Sequence, residues 1–86
     1  MKKKNSGTQW FVYIVECSDA TLYAGIARDV EKRIAQHNSS STCKYTRSRK
    51  PVFLRYRERL ADHSAALRRE AEIKKFSRKD KLVLFS

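Results

Sequence analysis

The stretch Leu22-Tyr23-Ala24-Gly25-Ile26 decides the fold, because it predicts a short apolar strand that closes on a glycine. Gly25 within such a strand indicates either a bulge or a close approach of backbone or ligand. The segment that follows predicts a helix carrying Arg33 and His37 one turn apart. If the chain performs chemistry, we expect it at this junction of strand, glycine and helix.

The segments on either side of the junction predict its structural partners. WFVYIVEC at 10–17 is dense in aromatic and β-branched residues, which is typical of a central strand covered on both faces. The connection at 18–20 is so short that the strand at 21–27 must pair with it antiparallel. Asp29 is a favoured N-cap for a helix over 30–38.

The second half of the chain predicts one more strand and two helices. Pro51 ends a basic turn, and a strand follows at 52–60. Ser64 is the expected cap of a helix over 65–76, and Ser77 that of a last short helix. The apolar residues of this last helix are expected to dock on the core: Leu82, Val83 and Phe85.

These elements predict an α+β fold, a small three-stranded antiparallel sheet flanked by helices in the order β-β-α-β-α-α. A chain of 86 residues forms one small core, so we expect a single domain over 10–86 behind a flexible basic tail at 1–9. Cys17 is expected in the core and Cys43 in a loop, both reduced, because they are too few and too far apart for a zinc site or a disulfide framework.

The formal net charge of +11 indicates a polyanionic partner, nucleic acid first and an anionic membrane second. A merely soluble basic protein is the alternative. No apolar run approaches the roughly 18 residues of a membrane span, and the basic N-terminus lacks the apolar core of a signal peptide. The expected location is therefore the cytoplasm, without a membrane partner.

Glu70 is the residue that most clearly breaks its local pattern. On a helical projection it lies between Ala66 and Leu67, on the arc expected to face the protein. A carboxylate in that position must be paired or bind a metal. Two explanations stay open, a salt bridge to a basic neighbour and a ligand for a divalent metal close to bound phosphate.

Four residues around the opening junction are further candidates for chemistry. Tyr13 and Tyr23 lie on the two strands of the hairpin, near the inward-leaning Arg33 and His37. The guanidinium of Arg33 is suited to bind phosphate oxygens. His37 is a candidate general base or a hydrogen-bond donor to a phosphate. Each of these residues also has an ordinary structural explanation as a core aromatic or a surface pair.

The segment before and within the third strand is basic. Lysines and arginines interleaved with tyrosines are suited to follow a nucleic-acid backbone and stack on bases, although a solvated basic face is the alternative. The expected binding residues are Lys44, Tyr45, Arg47, Arg49 and Lys50, with Arg55, Tyr56, Arg57 and Arg59 continuing the set along the strand.

Taken together, these motifs resemble the paired signature of the GIY-YIG nuclease superfamily. Phe11-Val12-Tyr13 precedes Tyr23-Ala24-Gly25, the pair Arg33 and His37 follows, and Ala66-Leu67-Arg68-Arg69-Glu70 comes in a later helix. The resemblance spans residues 10 to 76. Lys44-Tyr45-Thr46-Arg47 and Ser77-Arg78-Lys79 look like the small stand-alone branch, whose members are often described only as uncharacterised. Phe11, Val12 and Ala24 depart from the family's letters, at positions that are not catalytic.

The resemblance implies phosphodiester hydrolysis with one divalent metal, Mg²⁺ or Mn²⁺. Tyr13 and Tyr23 would line the site, and one of them would help deprotonate the attacking water. Arg33 would stabilise the charge of the transition state, His37 would assist proton transfer or position a phosphate, and Glu70 would hold the metal.

Three functions stay open from the sequence. The first is a structure-selective or weakly specific DNA nuclease, with a role in DNA repair or processing. The second is a nucleic-acid-binding module that keeps the fold with little or no catalysis. The third is an adaptor for other proteins. Relatives that cut at chosen sites usually carry a recognition domain, so specificity here is expected from substrate shape, from a protein partner, or not at all.

Overall fold

The computed structural model describes residues 9–39 and 50–85. In this part of the chain, three strands and three helices follow in the predicted order: β1 Trp10–Glu16, β2 Leu22–Ala27, α1 Val30–Ser39, β3 Phe53–Leu60, α2 His63–Lys74 and α3 Arg78–Leu84. The sheet has the order β2-β1-β3, and both pairs of strands are antiparallel. The predicted α+β class and the order β-β-α-β-α-α are confirmed.

The central strand β1 supplies two hydrophobic cores, one on each face of the sheet. Tyr13 and Val15 face α1, whereas Val12 and Ile14 face α2 and α3. These four side chains are at most 1% exposed, as predicted for a strand covered on both faces. Burying each one contributes about 1.5–3 kcal/mol, so the pairing of β1 with its neighbours is strongly determined. Cys17 is buried at the end of this strand, as predicted, and Cys43 lies outside the described residues.

The pairing of β1 with β3 contains a bulge. Ile14 pairs with Tyr56 and Val15 with Leu54, so Arg55 is an extra residue on β3. Leu54 packs on the core beneath α1, and Tyr56 packs on the core beneath α2. The bulge therefore changes which residues of β3 share a face, because side chains no longer alternate regularly past this point.

The helix caps agree with the sequence at two of three positions. Asp29 accepts a hydrogen bond from the Lys32 amide at 3.0 Å, and Ser77 accepts one from the Asp80 amide at 3.1 Å. The expected cap of α2 was wrong, since Asp62 rather than Ser64 accepts from the Ala65 amide, at 2.8 Å. Asp62 has the extended backbone that lets its carboxylate reach this amide, and the helix consequently begins earlier, at His63.

Two expectations about the helix faces also need correction. Leu67 is exposed because it lies about 100° around α2 from the buried Ala66, which makes the inward arc narrower than the sequence suggested. On α3, Leu82 and Val83 are exposed, and Leu84 joins Phe85 against the core. In the described part of the chain, no helix is long and apolar enough to cross a membrane.

Candidate active site

The hairpin of β1 and β2 places Tyr13 directly opposite Gly25. A Cβ atom at Gly25 would lie 2.5 Å from the Tyr13 hydroxyl oxygen and 2.7 Å from its Cζ. The register of the hairpin is continuous, so this glycine marks a close approach rather than a bulge. The group that approaches the backbone is the Tyr13 ring itself.

His37 lies between the two tyrosines of the hairpin. Its Nε2 is 3.1 Å from the Tyr13 hydroxyl oxygen, within hydrogen-bond distance. The imidazole centroid is 6.1 Å from the Tyr13 ring and 5.7 Å from the Tyr23 ring, and both contacts are edge-to-face. His37 follows the buried Val30 by two helical turns, so α1 presents both to the sheet.

Burial sets the charge of His37. His37 is 1% exposed, and this burial is the main reason why the pKa of the imidazole lies below its usual value of 6.5. The positive charge of Arg33 lowers the pKa further. The ring is therefore neutral near pH 7, and a neutral ring accepts a hydrogen bond from a phenol. Arg33 is half-buried on the same helix, where its Nη1 donates to the Gln36 side chain at 3.1 Å.

Glu70 on α2 is linked to Tyr23 on the edge strand β2 through Lys74. Its Oε2 lies 3.3 Å from Nζ of Lys74, and this Nζ is 6.0 Å from the centroid of the Tyr23 ring. The Glu70 side chain is 19% exposed, so the carboxylate is only partly shielded from water. The ion pair expected as one of two explanations is present, and it lies beside Tyr23.

The residues present fit a magnesium-type site at Glu70. Among the described residues, no group of three or more His, Cys, Asp or Glu side chains is arranged to hold a metal ion. Mg²⁺ nevertheless needs only one or two carboxylates, because it keeps several waters and takes oxygen ligands from bound phosphates. A single, partly accessible carboxylate, whose partner Lys74 lies beside Tyr23, matches that donor set.

Only some of the predicted nucleic-acid-binding residues lie within the part of the chain that the structure describes. Lys44, Tyr45, Arg47 and Arg49 lie outside the described residues, whereas Lys50 is exposed just before Pro51. Tyr56 does not offer a stacking surface, because it packs on the core beneath α2 and donates a hydrogen bond to Glu58 at 2.7 Å. Burial is the main reason why the pKa of Tyr56 is raised.

Two positioning contacts were not foreseen from the sequence. The ammonium of Lys74 is 3.3 Å from the Glu70 carboxylate and 6.0 Å from the centroid of the Tyr23 ring. The Asn38 side chain accepts from the Val52 amide at 2.7 Å and donates to the Val52 carbonyl at 3.1 Å. This pair of bonds ties the end of α1, next to His37, to the start of β3. An Asn at a helix end carries no signal for such a distant partner.

Comparison with known proteins identifies a matching family and several similar chains. A family described as "GIY-YIG catalytic domain" matches residues 9–82. A UPF0213 protein of Staphylococcus saprophyticus is 53% identical over 76 residues, which cover 88% of this chain and 93% of that one. A UPF0213 protein of Halobacterium salinarum is 50% identical over 74 residues, which cover 86% and 96% of the two chains.

A solved structure gives the same result for the fold. The solution NMR structure of a UPF0213 protein from Bacillus halodurans aligns with a TM-score of 0.56 and 39% identity. The alignment covers 88% of this chain and 81% of the other. The name UPF0213 states no activity. These relatives therefore support the fold, and the reaction must be argued from the geometry of the site.

Proposed function

The chain belongs to the GIY-YIG nuclease superfamily, and from that premise we propose that it hydrolyses phosphodiester bonds in nucleic acid, DNA in particular. The observation that carries the proposal is the arrangement around β2. Two tyrosines on paired strands both contact His37, and Arg33 precedes His37 by one turn on α1. The carboxylate of Glu70 pairs with Lys74, whose ammonium lies 6.0 Å from the centroid of the Tyr23 ring.

Accessibility divides the five residues into two groups. Tyr23 and Arg33 are half-buried, and the Glu70 side chain is partly exposed. These three residues are therefore proposed to act directly at the bound substrate. Tyr13 and His37 are each 1% exposed and bonded to each other. We assign them to positioning, because their contact holds α1 against the hairpin and so aims Arg33 and Tyr23 at one region.

Tyr23 is the proposed base for the attacking water. In its ionised form the phenolate oxygen takes one proton from the water and becomes a phenol, while the resulting hydroxide attacks phosphorus. The bond from phosphorus to the leaving oxygen breaks, and this oxygen takes a proton from solvent.

Arg33 is the proposed electrostatic contact to the phosphate. Its planar guanidinium presents donors that match two phosphate oxygens, and it keeps its charge at any working pH. As water attacks, negative charge accumulates on those oxygens and strengthens the contact. Losing one such contact typically lowers kcat by about 10²–10³.

Glu70 is the proposed ligand for a divalent metal, Mg²⁺ or Mn²⁺. When bound, the metal would polarise the phosphoryl oxygens and stabilise the charge on the leaving oxygen. Members of the superfamily generally use divalent metals, which agrees with this assignment. Lys74 competes for the same carboxylate, so the apparent metal affinity is expected to depend on that lysine.

The proposal is tested with end-labelled single-stranded, duplex and branched DNA, with Mg²⁺ or Mn²⁺ and with a chelator. We expect cleavage that requires the metal, and Tyr23→Phe should lower its rate by about 10²-fold or more without loss of binding. Binding without cleavage on every substrate would instead favour the nucleic-acid-binding module. A preference for branched DNA would support the proposed role in cytoplasmic DNA repair or processing, and a protein partner is the proposed source of any sequence specificity.

A further inference from the structure

We propose that Arg57 and Arg59 on β3 form a track that holds the phosphate backbone of the nucleic acid beside the candidate site. This inference rests on the proposed function, because it names the surface on which the substrate of that site lies. The track uses the part of the sheet face that α1 leaves exposed.

The register of the sheet puts both arginines on the face of the site. Arg57 pairs with Tyr13, and Arg59 pairs with Phe11, two residues along β1. Directly paired residues have their Cβ atoms about 4.5–5.5 Å apart and leave the sheet on the same face. Arg57 is therefore the immediate neighbour of Tyr13 on this face, and Arg59 lies about 7 Å further along the strand.

The bulge removes Arg55 from this set. Regular alternation would place Arg55, Arg57 and Arg59 on one face of β3. The extra residue instead turns Arg55 to the opposite face, where its Cζ lies 5.7 Å from the centroid of the Phe85 ring. Its Nε is 3.3 Å from a carboxylate oxygen of Glu16. The two faces of one strand thus carry arginines with different roles.

Arg57 is held on the site face by a contact that phosphate can replace. Its Nη2 lies 2.7 Å from the Glu31 carboxylate on α1, and its Cζ is 5.9 Å from the centroid of the Phe11 ring. The side chains of the pair are 42% and 69% exposed, and ion pairs so open to solvent contribute little stability. A phosphate offers the guanidinium a bidentate partner without loss of the ring contact.

Nucleic acid is the occupant that best matches this surface. A backbone presents one charge per phosphate at regular intervals, which suits two arginines spaced along an extended strand. The overall charge of +11 attracts such a polyanion from a distance. An acidic protein surface is the alternative occupant, and a binding measurement distinguishes the two.

The test measures binding of the full chain to a short fluorescein-labelled DNA duplex by anisotropy, in a chelator so that no cutting occurs. The variant Arg57→Gln/Arg59→Gln removes two charges from the site face. The control Arg55→Gln/Arg68→Gln removes two charges from the other side, since Arg68 is exposed on α2, where it donates to Ser64 at 3.0 Å. Thermal melts verify that both variants are folded.

The track predicts a specific change in salt dependence. Between about 50 and 200 mM salt, losing two phosphate contacts reduces the slope of log K against log salt by about 1.8. The control should keep the slope of the wild type. If the double variant does not fold, Arg59→Gln alone should reduce the slope by about 0.9.

Three results would overturn the track. They are equal losses in the two double variants, an unchanged slope in Arg57→Gln/Arg59→Gln, and failure of the chain to bind the duplex. The outcome is separable from that of the proposed function. If binding depends on Arg57 and Arg59 but no DNA is cleaved, the track is supported and the nuclease function is rejected. If the chain cleaves DNA but Arg57→Gln/Arg59→Gln binds like the wild type, the nuclease function is supported and the track is rejected.

Discussion

Replacing Gly25 with alanine would insert a methyl group where the Tyr13 ring already lies. The new Cβ would be 2.5 Å from the hydroxyl oxygen and 2.7 Å from Cζ, both well inside van der Waals contact. The ring has little room to retreat, because it is 1% exposed and bonded to His37. Either the ring or strand β2 must shift, and either movement disturbs the contact between Tyr13 and His37.

The expected cost follows from two opposing effects. Overpacking a well-packed core costs about 1–3 kcal/mol, whereas alanine gains about 0.5–1 kcal/mol over glycine within a strand. The net loss of unfolding free energy is therefore about 0–2.5 kcal/mol, centred near about 1 kcal/mol. For a domain of this size each kcal/mol lowers the melting temperature by about 4–8 °C, so the central value predicts that Gly25→Ala melts roughly 5–10 °C below the wild type.

Thermal unfolding by circular dichroism measures this cost, and the Tyr13→Phe variant provides the matched background. Removing the hydroxyl removes the atom closest to the new methyl group, although Cζ stays close. The alanine should therefore destabilise the Tyr13→Phe variant less than the wild type, and the difference is the coupling energy between the two positions. A Gly25→Ala variant that melts with the wild type, or an equal cost in both backgrounds, would refute the proposed close approach.

Two further predictions concern the charges around His37 and Glu70. Because the pKa of His37 lies below 6.5 in the folded chain, the unfolded chain binds more protons as the pH falls through 6.5, and stability must drop there. His37→Gln should flatten this part of the curve of stability against pH, and a curve equal to that of the wild type would contradict the cause given. Lys74→Gln removes the cation that pairs with Glu70, so half-maximal cleavage should need several-fold less Mg²⁺. A metal requirement that does not change would show that Lys74 and the metal do not compete.

The sequence predicted the hairpin and the helix after it because their signals are local. The dense aromatic and β-branched run at 10–17 marks a buried strand, and the short connection leaves only antiparallel pairing. The position of His37, two turns after an apolar Val30, also indicates the face that α1 turns to the sheet. These inferences needed only spacing and residue type.

The features that the sequence did not reveal depend on contacts between distant elements. The bulge at Arg55 arises because Leu54 and Tyr56 pack on different cores, and no local pattern records that competition. The position of the Lys74 ammonium beside Tyr23 requires α2 to pass the edge of β2, which depends on tertiary packing. At the start of α2, Asp62 and Ser64 are both good caps, and geometry rather than residue type decides between them.

The central claim, that Glu70 is the metal-binding carboxylate of a phosphodiesterase site, is tested most directly by comparing two glutamates on one helix. Glu72 lies two residues from Glu70, and its 60% exposed side chain pairs with Arg69, on the side away from Tyr23. Single-turnover cleavage of labelled DNA in saturating Mg²⁺ should fall by about 10²-fold or more in Glu70→Gln and stay near the wild-type rate in Glu72→Gln. Equal rates in the two variants would contradict the account.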